Sequence, residues 1–241
     1  MINEKFQDLN TYLRQLDEAE GENLVAVVVY GSAVTTPETS GRSDFQWLVI
    51  TRRLAAADLR RIRPIIRDLV KAGYSMPAFF TAQEFEDSLD VFPIEFRQMR
   101  RAYQVLHGPD LLATAEASGA NLRLQIEYEL RGKLLRLRSL FLPASDSAES
   151  LLRLMTESVV SFVRIMRSIL ELVGEVPAVG RLEATRQVGK SLKLDLTPII
   201  TLLELRTNRR QLTESETQEL FEAYISSLTE VIEAVDKISP E

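Results

Sequence analysis

The sequence predicts an α+β chain in which strands and helices alternate over residues 1–117 and an all-α helical bundle fills residues 118–241. Three observations predict it. A short β-branched run, Leu24-Val25-Ala26-Val27-Val28-Val29-Tyr30, is bounded by turn residues, the pattern of a buried strand. A second apolar run covers 45–51, and two shorter ones follow with helical segments between them. Beyond about residue 118 the strand signals stop, and apolar residues recur at helical spacing to the end of the chain.

The elements follow in order. Residues 3–19 place Phe6, Leu9, Leu13 and Leu16 on one face of a helix that Gly21 ends. Residues 25–30 form the first strand, and the polar stretch from Thr35 to Gly41 is loop chemistry. After the strand at 45–51, residues 55–72 form a helix with Leu59, Ile62, Ile66, Leu69 and Val70 on one side and Gly73 as its stop. A third strand, 76–81, is entered through Pro77. Helices at 82–89 and 93–102 lead to a strand at 103–106, which ends at His107-Gly108-Pro109. The bundle helices are 120–142, 147–173, 181–191, 197–207 and 214–238. Pro143-Ala144-Ser145-Asp146 and residues 208–212 read as breaks, and Thr213 with Glu216 forms a capping box. The segment 147–173 is apolar round much of its circumference, which places it at the centre of the bundle.

Composition narrows the function. Lys and Arg number 29 against 35 Asp and Glu, a net charge of −6, so nucleic acid is an unfavoured partner. The lack of cysteine excludes disulfides, thiolate zinc sites and cysteine nucleophiles, and suits the cytoplasm. The start of the chain lacks the basic-then-apolar layout of a signal peptide. Its most apolar helix is interrupted by Arg153, Glu157, Arg164, Arg167 and Glu171, so no membrane span is expected.

The chemistry concentrates between residues 24 and 50. The first strand stops at Gly31-Ser32; ten residues later Ser43-Asp44-Phe45-Gln46 opens the second. Gly31 permits a tight turn and close backbone approach to phosphate. Ser32 brings a hydroxyl to a helix start, where the dipole favours an anion. Residues at i and i+2 of a strand project to one face, so Asp44 and position 46 are expected to point together. This stretch resembles the signature of the nucleotidyltransferase superfamily, the polymerase β-like fold: Gly-Ser, about ten residues, then Asp-x-Asp and a strand. The resemblance implies a mixed sheet with flanking helices, and a bundle similar to that of kanamycin-type nucleotidyltransferases or HEPN domains, which forms an acceptor pocket or a homodimer interface. The layout also resembles that of bacterial nucleotidyltransferase-domain proteins.

By that resemblance Gly31, Ser32 and Asp44 contact a nucleoside triphosphate, and Asp44 holds Mg²⁺. Two metals at such a site would stabilise the attacking and leaving oxygens. Here the second acid is Gln46, a neutral ligand where Mg²⁺ prefers carboxylate. The third strand supplies no acid either; Glu84, Asp90 and Glu95 lie beyond it, and Glu95 is the best placed of them to face the cleft. The reading is a nucleotide-binding protein with an incomplete two-metal site, a pseudoenzyme candidate. The alternative is an active enzyme that moves a nucleoside monophosphate to a small-molecule or protein hydroxyl through a non-standard metal site. A binding protein with an unknown protein partner is the non-enzymatic form of the first.

Four further features have ordinary readings. Arg101 and His107 match the HEPN Arg-x5-His spacing, but on a strand rather than a bundle helix, which favours a loop histidine. Six arginines among residues 52–67 fit either an acidic partner or a solvated helix face, and the solvated face is favoured. Trp47 is expected in the core. Charged residues from Arg123 to Arg138 suit i,i+4 pairing.

Overall fold

Strand β1 (Leu24–Tyr30) is flanked on both sides, antiparallel to β2 (Gln46–Thr51) and to β4 (Tyr103–His107). Strand β3 (Ala78–Thr81) runs parallel to β2 at the edge, so the sheet is mixed with the order β3-β2-β1-β4. This is a computed structural model, and it describes residues 2–35, 41–178, 180–208 and 212–239. The chain divides into two compact units, Met1–Ala117 and Ser118–Glu241.

The sheet is buried on both faces, which is why β1 reads as a continuous apolar run. Val27, Val29, Trp47 and Val49 face one layer, made by α1 (Ile2–Glu20) and α3 (Ala56–Lys71) through Leu9, Leu16, Ile62, Ile66 and Leu69. Ala26, Val28, Leu48 and Ile50 face the other, where Phe85 of α4 (Ala82–Asp87) meets Phe96 and Met99 of α5 (Pro93–Arg101). Trp47 is fully buried and edge-on to Tyr74, so it is a core residue as expected. The third strand begins two residues later than the apolar run suggests, after Pro77, which has no N–H to give a ladder.

The six arginines are all exposed, as a solvated face requires, but two of them also pair with buried acids. Arg53 and Arg61 both reach Asp58, at 3.0 and 2.9 Å, and Arg61 also reaches Glu20 at 3.0 Å. The side chains of Asp58 and Glu20 are 2% and 1% exposed. Asn23 completes the network: its amide donates to Glu20 and to the Arg53 carbonyl, and its oxygen accepts the Arg53 N–H. The end of α1, the exit of β2 and the start of α3 are thereby tied together.

In the second unit, α6 (Gly119–Ala144), α7 (Ala148–Leu172), α8 (Arg181–Leu192), α9 (Thr197–Asn208) and α10 (Glu214–Asp236) form the bundle, and α7 packs against the other four. Leu122, Ile126 and Leu130 of α6 and Met155, Val159 and Phe162 of α7 are buried, with Tyr224 and Leu228 of α10. The Thr213–Glu216 capping box is present. So are the i,i+4 pairs of α6: Glu127 with Arg123 and Arg131, and Glu129 with Lys133. Residue 143 is no break, however, because α6 runs through Pro143 to Ala144. Pro143 lies in the last turn, where a missing N–H costs one hydrogen bond and no further helix has to form. No described helix is long and apolar enough to cross a membrane.

Candidate nucleotide site

The candidate site lies where β1 leaves the sheet and β2 enters it. Gly31 has φ +106°, and a Cβ there would sit 2.8 Å from the Asp44 carbonyl oxygen. Only glycine satisfies both conditions. Its role differs from the expected one, since the Gly31 N–H donates to the Ala102 carbonyl at 3.0 Å and is not aimed outward. The Gly31 carbonyl accepts the Val34 N–H at 3.1 Å, closing the single turn of α2 (Ser32–Thr35). Ser32 therefore opens a helical turn, as expected, while its side chain falls outside the described part of the structure.

Asp44 is not part of β2. It ends a 3₁₀ turn, Arg42–Asp44, and Oδ2 accepts the Gly41 N–H at 2.7 Å. The strand alternation nevertheless carries through the junction: Asp44 and Gln46 are exposed, while Phe45 and Trp47 are buried. The two side chains share a side, although one carboxylate oxygen is already committed to the turn. Gln46 is paired with Tyr30 across β1 and β2, and its Cγ is 3.9 Å from the position of a Gly31 Cβ.

Glu95 stands at the third position of α5, exposed, and its charge acts on Tyr30. Burial, and then the Glu95 carboxylate, push the Tyr30 phenol up from its ordinary value, so it remains a neutral hydrogen-bond donor at neutral pH. Tyr30 is thus a neighbour of the candidate site that pattern reading missed. The signal was its place as the last residue before Gly31, on the same face of the sheet as Gln46. Tyr30 also pairs with Tyr103, whose hydroxyl donates to Asp110 at 3.0 Å.

The donor set does not fit two metals. Among the described residues no three His, Cys, Asp or Glu side chains converge as metal ligands. Among the described residues the site offers the Asp44 carboxylate, the Gln46 amide and, beside Tyr30, the Glu95 carboxylate. Arg101 and His107 end α5 and β4 in the first unit, so no bundle helix carries that pair.

The mixed sheet followed by a helical unit is consistent with the nucleotidyltransferase fold, and comparison with solved structures shows that fold. The chain is similar to spectinomycin adenyltransferase AAD(9) from Enterococcus faecialis, solved with ATP and spectinomycin. That likeness has a TM-score of 0.52 and 15% identity, and covers 98% of this chain and 99% of that one. At that identity the likeness is one of fold. No protein-family model matches the sequence, and no curated protein does.

Proposed function

We propose that this is a nucleotidyltransferase-fold protein that binds a nucleoside triphosphate beside Gly31 and Asp44 and is weak or inactive in nucleotidyl transfer. The observation that carries the reading is Gln46, an amide at the position sharing a side with Asp44, with no group of three metal-binding side chains among the described residues. A single Mg²⁺ held by one carboxylate and by triphosphate oxygens is within the ordinary coordination of that ion. Among the described residues a second metal has no comparable ligand set. The bound ATP of the structural neighbour supports nucleotide as the ligand class. Gly31 contributes by the absence of a side chain rather than by its N–H.

One observation favours the alternative of an active enzyme. The Glu95 carboxylate lies near enough to Tyr30 to raise its pKa, and Tyr30 is the cross-strand partner of Gln46. In that reading Glu95 supplies the missing acid, an acceptor hydroxyl oxygen attacks the α-phosphorus and yields its proton to solvent, and pyrophosphate leaves with the electron pair.

Calorimetric titration with ATP and GTP, in Mg²⁺ and then in EDTA, separates these readings. The expected result is metal-dependent binding that weakens at least tenfold in Asp44→Ala and tightens in Gln46→Asp. Absence of heat with both nucleotides would overturn nucleotide binding. Pyrophosphate release that depends on an acceptor and vanishes in Glu95→Gln would favour the enzyme instead.

A further inference from the structure

On the opposite face of the sheet from Tyr30 and Gln46, the outer side of α3 and the edge strand β3 enclose an open groove of about 450 Å³. Ile62, Ile66 and Phe79 floor it. Its lips are Leu59, Val70 and Met76, which remain 42%, 38% and 66% exposed. Large apolar side chains left open to water beside one another mark a surface that something covers. The lining offers no polar group on the floor with which to orient a small polar ligand.

The second observation is charge. Arg63, Arg67 and Lys71 stand at i, i+4 and i+8 along α3, a straight cationic row about 12 Å long that borders the apolar one. Arg63 and Lys71 form no ion pair among the described residues, and Arg67 meets only its exposed neighbour Asp68, at 3.1 Å. In a chain of net charge −6 this is a local inversion of sign.

We propose that this groove docks an acidic amphipathic helix of a protein partner. Two parallel rows at helical spacing, one apolar and one cationic, are complementary to a helix with apolar residues at i, i+3, i+4 and i+7 and acids on the adjoining flank. The apolar anchors supply affinity, while the cationic row fixes orientation and rejects basic helices. The proposal is independent of what binds at the Gly31 end of the sheet, because the two surfaces lie on different faces.

The test uses the full chain and fluorescein-labelled synthetic helices of about eighteen residues, one built from Leu and Glu and its counterpart from Leu and Lys, followed by anisotropy. The Leu/Glu helix is expected to bind below 100 µM at low salt. That affinity should fall at least tenfold in Arg63→Glu/Lys71→Glu and in Leu59→Ser/Met76→Ser, with melting curves confirming that both variants fold. Equal binding of the two helices, no binding of the acidic one, or binding untouched by either variant overturns the proposal. Stronger uptake on vesicles of anionic phospholipid than on the peptide overturns it too. So does a dimer in sedimentation that Met76→Glu dissociates, since the occupant would then be a second copy.

Discussion

Two glycines with opposite surroundings show how residue-level geometry translates into stability. Gly31 combines a left-handed φ with a 2.8 Å approach to the Asp44 carbonyl. Gly31→Ala is therefore expected to cost about 2–3 kcal/mol in urea unfolding and to displace the Arg42–Asp44 turn. Loss of nucleotide binding with unchanged stability would contradict the structural part of that statement. Gly132 lies in the interior of α6, and a Cβ there meets nothing within 4 Å. Gly132→Ala should stabilise the chain by roughly 0.5–1 kcal/mol, because alanine gives up less backbone freedom on entering a helix. The same substitution thus changes sign between a crowded turn and an open helix face, and one denaturation series measures both.

At the scale of the element, the network around Asp58 sets a pH dependence. The Arg53 guanidinium, followed by the Ala55 N–H, holds the Asp58 carboxyl well below the usual carboxylate range. A group with a depressed folded pKa stabilises the fold fully above its unfolded value near 3.8, and that stabilisation is lost as pH falls further. Asp58→Asn should lower the melting temperature at pH 7 by roughly 5 °C or more and flatten its decline below pH 4. Parallel declines in the two proteins would show that other carboxylates govern acid unfolding. The elements themselves were largely legible, since β1 and β2 are short β-branched runs and the bundle helices hold their spacing over many turns. Pro143 misled because a proline in the last turn of a helix looks in sequence like a proline beyond its end. The pairing of the exposed Arg53 and Arg61 with buried acids was not legible, because Glu20 and Asp58 meet only when α1 and α3 are brought to the same corner.

At the scale of the whole molecule, the second unit has its own buried core in Leu122, Ile126, Met155, Val159, Phe162, Tyr224 and Leu228. Residues 118–241 made alone are expected to melt cooperatively with a helical far-UV spectrum. A gradual melt with dye-binding apolar surface would show instead that the bundle depends on the first unit. The site was legible to a lesser degree than the fold. Gly31 stood out because no other residue type fits a turn so tight, yet the destination of its N–H depended on Ala102, which no spacing rule connects to it. The turn at Asp44 could have been read from Gly41-Arg42-Ser43-Asp44, an acid three residues after its cap. Tyr30 and Glu95 are brought together only by the packing of α5 over the sheet.

Gln46 enters β2 by main-chain pairing with Tyr30, while its side chain looks into solvent. The sheet gains nothing from the amide and would lose little if an acid replaced it. The identity of this one side chain is therefore uncoupled from folding. A scaffold of this kind can gain or lose a carboxylate there without its stability registering either event.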